Sequence, residues 1–105
     1  MALSQASQYR TLVDSVYVAS ASITPGAITT GTTGATQTIA VPGALVGDVV
    51  TMRAPAVLGS VIMQGEVTAA NTVTVKFANT TAGTITPPAG IYTAICERLT
   101  NIALV

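Results

Sequence analysis

Val61-Ile62-Met63-Gln64-Gly65-Glu66-Val67-Thr68, then Ala69-Ala70-Asn71, then Thr72-Val73-Thr74-Val75-Lys76-Phe77: these residues decide the fold class. Apolar and polar side chains alternate with a period of two on both sides of the break, the pattern of half-buried strands. Asn tolerates the left-handed backbone of a tight turn, so Ala69-Ala70-Asn71 reads as the loop of a hairpin. The register follows: Val73, Val75 and Phe77 point to a core, while Thr72, Thr74 and Lys76 point outward. In the first run, Val61, Met63, Gly65 and Val67 share one side and Ile62, Gln64, Glu66 and Thr68 the other. Glu66 therefore faces solvent or a partner.

Working outward, 36–41 reads as a short strand stopped by Pro42-Gly43, and 48–53 as the next. The stretch 79–90 returns through Gly83, Pro87, Pro88 and Gly90, and 91–98 forms a final strand. This last strand is apolar on both sides, with Ile91 and Ile95 on one and Tyr92, Ala94 and Cys96 on the other. Such a strand is either central or buried at a subunit interface. Between Ile23 and Ala35, Thr-Pro-Gly, Thr-Thr-Gly and Thr-Gly clusters predict linker or surface loop. The expected class is all-β, an antiparallel β-sandwich of jelly-roll or immunoglobulin-like type.

Residues 1–22 differ from this body, with no Gly or Pro, and are expected to form an N-terminal arm ahead of a 23–98 domain and a 99–105 tail. Leu3, Tyr9, Leu12, Val13, Val16 and Tyr17 approximate one helical face, with Ser4 as an N-cap. A β reading of 11–19 competes, because Thr, Val and Tyr favour strands. The tail carries Leu99, Ile102, Leu104 and Val105, apolar for a chain end. Together with Ile91 and Ile95, the six arm residues and these four are the candidate interface residues.

The chain of 105 residues is half hydrophobic, has four basic and four acidic residues, and contains no His. One domain suffices for that length. Zero net charge gives no electrostatic footprint for a phosphate backbone, so nucleic acid is not an expected partner. With so few charges, either an uncharged Thr-rich exterior or burial in an assembly must keep the surface soluble. No apolar run approaches the ~20 residues of a membrane span. Nor does the start resemble a secretory signal, so synthesis in the cytosol without a membrane partner is expected.

Chemistry is poorly provided for. Zinc has neither His nor paired Cys, calcium has no acidic loop, and no cofactor motif is present; the glycines of 26–34 lack the Lys of a phosphate loop. No catalytic, metal or cofactor-binding residue is assigned. Glu66 and Glu97 are a conceivable carboxylate pair, but a solvated surface position beside Lys76 or Arg98 accounts for each without chemistry. Cys96 lies in an apolar run and reads as a buried, inert thiol. Asn79-Thr80-Thr81 matches a glycosylation sequon, which matters only in a eukaryotic secretory route.

Gly47-Asp48-Val49-Val50, the 65–75 hairpin, Asn79-Thr80-Thr81-Ala82-Gly83 and Pro88-Ala89-Gly90-Ile91-Tyr92 together resemble a recurrent pattern in small structural proteins of tailed bacteriophages. The resemblance covers about 36–97 and is silent on any active site. It implies a β-sandwich displayed on a virion, commonly as a homotrimer, bound to the major capsid protein as a decoration (cement) protein on the capsid surface. A tail-fibre or spike module contacting the host surface is the alternative. A small hydrolase or lectin-like domain stands further off, because Phe77, Tyr9, Tyr17 and Tyr92 are the whole aromatic supply.

Overall fold

The structure is a computed structural model and describes residues 13–99. Every regular element in it is a strand: β1 (Val13–Ile23), β2 (Gln37–Ala40), β3 (Val49–Arg53), β4 (Val61–Ala69), β5 (Thr72–Asn79) and β6 (Gly90–Leu99). They form two antiparallel three-stranded sheets, ordered β1-β6-β3 and β2-β5-β4. The six strands among the described residues are fewer than either the immunoglobulin fold or the jelly roll uses.

The hairpin register is as the alternation requires. Asn71 takes the left-handed conformation with φ of 63°, and Val73, Val75 and Phe77 are buried while Lys76 is exposed. β4–β5 is the one connection between described strands that stays within a sheet; the others cross from one sheet to the other. Each crossing wraps the chain around the space between the sheets, and that space holds the core.

Tyr92, Ala94 and Cys96 of β6 face Ile39, Val73, Val75 and Phe77 of the other sheet, all buried. The Phe77 and Tyr92 rings meet edge to face, their centroids 5.6 Å apart, a geometry favoured by the ring quadrupoles. Gly65 sets the closest approach: a Cβ there would lie 2.8 Å from Met52 and 2.9 Å from Val50 on the opposing sheet. A side chain at 65 would therefore wedge the sheets apart.

Two expectations change. The helical reading gives way over 13–23, because Val16 and Val18 alternate with Tyr17 and Ala19 along a strand paired with β6 from end to end. The β-branched valines lose rotamer freedom in a helix and pack well on a pleat, which explains the outcome. Residues 13–22 are thus part of a sheet, whereas Leu3, Tyr9, Leu12, Ile102, Leu104 and Val105 lie outside the described residues. The 23–35 stretch is more than a linker: Ile28 is buried and exchanges backbone hydrogen bonds with Ile85, and Thr33 bridges to Ala78.

Buried Asn79 locks these loops. Its Nδ2 donates to the carbonyls of Ile28 (2.8 Å) and Gly83 (2.7 Å), and its Oδ1 accepts from the Thr81 backbone N–H and hydroxyl. The amide nitrogen of the sequon is therefore enclosed and doubly engaged in the folded chain.

Candidate functional site

The two sheets turn opposite characters outward. On β2-β5-β4 the outer positions are mostly polar: Thr38, Gln64, Glu66, Thr68, Thr74 and Lys76, with Ile62 as the large apolar exception. Thr68 and Thr74 share a hydroxyl hydrogen bond of 2.7 Å on that face. On β1-β6-β3 large aliphatic side chains are interspersed with Ser20, Ser22, Thr51, Arg53, Thr93 and Glu97. Val16, Val18, Val49, Ile91 and Leu99 are exposed by between 47% (Val49) and 60% (Val18), and half-buried Ile95 sits among them.

The strand register assembles this patch from distant parts of the chain. Val16 and Val49 flank Glu97 on either side, Val18 and Thr51 flank Ile95, and Ser20 and Arg53 flank Thr93. Side chains opposite one another on one face of a sheet lie about 5 Å apart, so Val16, Val18, Val49, Ile95 and Leu99 gather around Glu97 toward one end, while Ile91 lies beyond the Ser20–Thr93–Arg53 row. Ser20, Thr93 and Arg53 form a polar row toward the other, with Ser20 and Thr93 hydrogen-bonded at 2.7 Å. From strand spacing and rise the whole face, polar positions included, measures about 400 Å²; its exposed aliphatic side chains are the feature that marks an interaction site.

Of the candidate interface residues, Val16, Ile91, Ile95 and Leu99 come together on this face. Tyr17 is half-buried and packs on the core from the inner side of β1, whereas half-buried Val13 stands opposite Leu99 beyond the register shift. Val18 and Val49 belong to the face and were not among the candidates. Extending the alternation of β1 by one step would have found Val18. Val49 becomes a neighbour only through β3–β6 pairing, which no local pattern encodes.

A second constellation was not foreseen. Arg98 on β6 donates from Nε to Asp48 Oδ1 and from Nη2 to Asp48 Oδ2, both at 3.0 Å. Nη2 also donates to the Gly43 carbonyl at 2.7 Å, and the guanidinium lies 5.1 Å from the Tyr17 ring centroid. The planar fork of Arg matches a carboxylate while its face stacks on an aromatic ring, which Lys cannot do. Leu45 N–H donates to Asp48 as well. The Arg98 hydrogen bond leads in holding the Asp48 carboxyl below its ordinary pKa, against an opposing push from burial. Asp48 is thus an ionised strut tying the 42–48 loop to β6.

Carboxylate chemistry has little to work with here. Glu66 and Glu97 stand on the outer faces of different sheets. Glu66 and Asp48 do line one surface indentation beside Val46 and Thr68, but both Asp48 oxygens are occupied by Arg98. Cys96 is buried, and burial first, then the nearby Asp48 charge, pushes its thiol pKa up, away from the thiolate that nucleophiles and metal ligands need. Among the described residues no three of His, Cys, Asp and Glu gather where they could share a metal ion.

No protein-family model, curated protein or solved structure matches this chain. What it can do is therefore read from the aliphatic face and its surroundings.

Proposed function

We propose that this chain is a non-enzymatic structural protein of a phage virion, a β-sandwich of jelly-roll or immunoglobulin-like descent that decorates the capsid. In this reading it sits on the outer surface of the head, contacts the major capsid protein and stabilises the junctions between capsomers. The observation that carries the reading is the outer face of β1-β6-β3, about half exposed at five large aliphatic positions while the opposite sheet presents Thr, Gln, Glu and Lys to water. The phage context comes from the sequence resemblance over 36–97.

About half of that face is aliphatic, roughly 200 Å²; at ~25 cal/mol per Å² its complete burial has an upper value near 5 kcal/mol, against a cost of about 4–15 kcal/mol for immobilising a free molecule. A single copy binds weakly by that comparison. A repeating lattice of sites, or copies joined to one another, converts such contacts into stable attachment. Surface-covering proteins of a head work under that condition.

Imaging of particles carrying gold-labelled full-length protein tests the proposal. Label distributed over the whole head is expected. Label restricted to the tail would replace decoration by the fibre or spike role, and failure to associate with particles would remove both.

A further inference from the structure

β1 is the edge strand of its sheet, and no described strand pairs with its far side. The four sheet edges are unequal. β2 and β3 are four and five residues long. β4 carries Gly65, Glu66 and a register shift between Val67 and Ala69. Short length, charge and bulges are the devices that protect edges from pairing. β1 runs for eleven residues, Val13–Ile23, with Asp14 as its one charge and no Lys, Arg, Pro or Gly. Its register shift lies at the extreme end, between Val13 and Ser15. Such a row of backbone donors and acceptors, otherwise solvated by water, is a template for another strand.

We infer that β1 pairs antiparallel with β1 of a second copy of this chain, about a two-fold axis through Val18. The sequence of β1 is self-complementary in that register. It is the one antiparallel register that pairs all eleven residues without overhang. On the outer face it sets Val18 against Val18, Val16 against Ser20 and Asp14 against Ser22. On the inner face Tyr17 meets Ala19 and Ser15 meets Ala21. Tyr17 and Val16 meet small residues, Val13 meets Ile23, and neither the Asp14 carboxylates nor the Tyr17–Arg98 stacks face their own copies. Slipping the two strands by two residues, so that the axis passes through Tyr17, would set Tyr17 against Tyr17 and bring the two Arg98 charges together.

The match of β1 to its own reversed copy is what selects a second copy as the occupant. Joining two copies edge to edge makes one six-stranded sheet, β3-β6-β1-β1-β6-β3, and leaves its doubled outer face exposed with Val16 and Val18 at its middle. The pairing replaces the three-fold arrangement implied by the sequence resemblance, and it stands whether or not the face docks on a capsid.

Two measurements on the full-length chain test it. Sedimentation equilibrium at tens of micromolar is expected to give twice the chain mass; a monomer or a trimer overturns the inference. Mild oxidation of Val18→Cys is expected to yield a covalent dimer, because opposed residues of an antiparallel pair lie within disulfide reach. Val16→Cys is expected to yield none, since its own copy lies four residues out of register, roughly 13 Å away. Both positions are exposed, so both variants fold, and Cys96 is buried from cross-linking. Absence of a Val18→Cys dimer, or equally rapid cross-linking of Val16→Cys, overturns it.

Discussion

Replacing Asn79 separates its hydrogen bonding from its volume. In Asn79→Ala most of the former partners keep a bond: Ile28 carbonyl retains Ile85 N–H, and Gly83 carbonyl retains the Thr81 hydroxyl. The Thr81 backbone N–H loses its acceptor. One stranded donor costs ~1–3 kcal/mol and the small cavity about 1 kcal/mol more, so a loss of about 2–4 kcal/mol is expected. For a domain of this size that lowers Tm by about 10–20 °C. Asn79→Asp keeps the volume but turns an oxygen toward two carbonyls that now sit 2.8 and 2.7 Å from the donor. The folded chain then resists the charged form and raises the pKa of the introduced carboxyl above its unfolded value near 4. With a raised folded pKa, the variant is least impaired below the unfolded value. Its deficit grows by about 1.4 kcal/mol per pH unit as pH rises from there toward the folded pKa. Urea unfolding of parent, Asn79→Ala and Asn79→Asp at pH 3.5 and 7 is the assay. The Asn79→Asp variant should fall below Asn79→Ala at pH 7 and approach or pass it at pH 3.5, each measured against the parent. A constant gap between the two variants would refute the hydrogen-bond account of the loop lock.

Three other outcomes follow from the packing and the ion pair. Because Asp48 has a lowered folded pKa, its contribution to stability is complete above its unfolded value of about 4 and is lost as pH falls through the folded pKa; Asp48→Asn should flatten the acid limb of a stability-versus-pH curve. Phe77→Ala should cost about 3–5 kcal/mol in denaturant unfolding, since it empties the space beneath Tyr92. Cys96 should react with iodoacetamide only at the rate of global unfolding, so that mass spectrometry of native protein shows no adduct while urea exposes it.

The strands legible in the sequence are those whose side chains alternate cleanly. β4, β5 and the turn at Asn71 can be read directly, since one face meets a core and the other meets water, and burial writes that difference into every second residue. β6 reads as apolar on both sides, and the structure gives half the reason: it is the middle strand, its inner face sealed by Phe77 and Val75 while Ile91 on the other side remains exposed. β1 is harder, because Ser15, Ala19 and Ala21 on its inner side are too small to mark a buried stripe. Its pairing partner also lies at the far end of the chain. The Arg98–Asp48 clamp and the presence of Val49 on the aliphatic face share that difficulty, as both are created by β3–β6 pairing. The packed role of Ile28 is hidden by its Gly, Thr and Pro neighbours, which describe local turns but not the Asn79 amide that receives them.

The unlike outer sheets give the molecule a top and a bottom. Under the proposed attachment through β1-β6-β3, the Thr-, Gln- and Lys-bearing sheet is left uppermost. A label coupled at exposed Gln64 or Lys76 would then ride on the water-facing layer without competing with the greasy side, so the asymmetry that directs attachment also makes the chain a carrier with a fixed heading for its cargo.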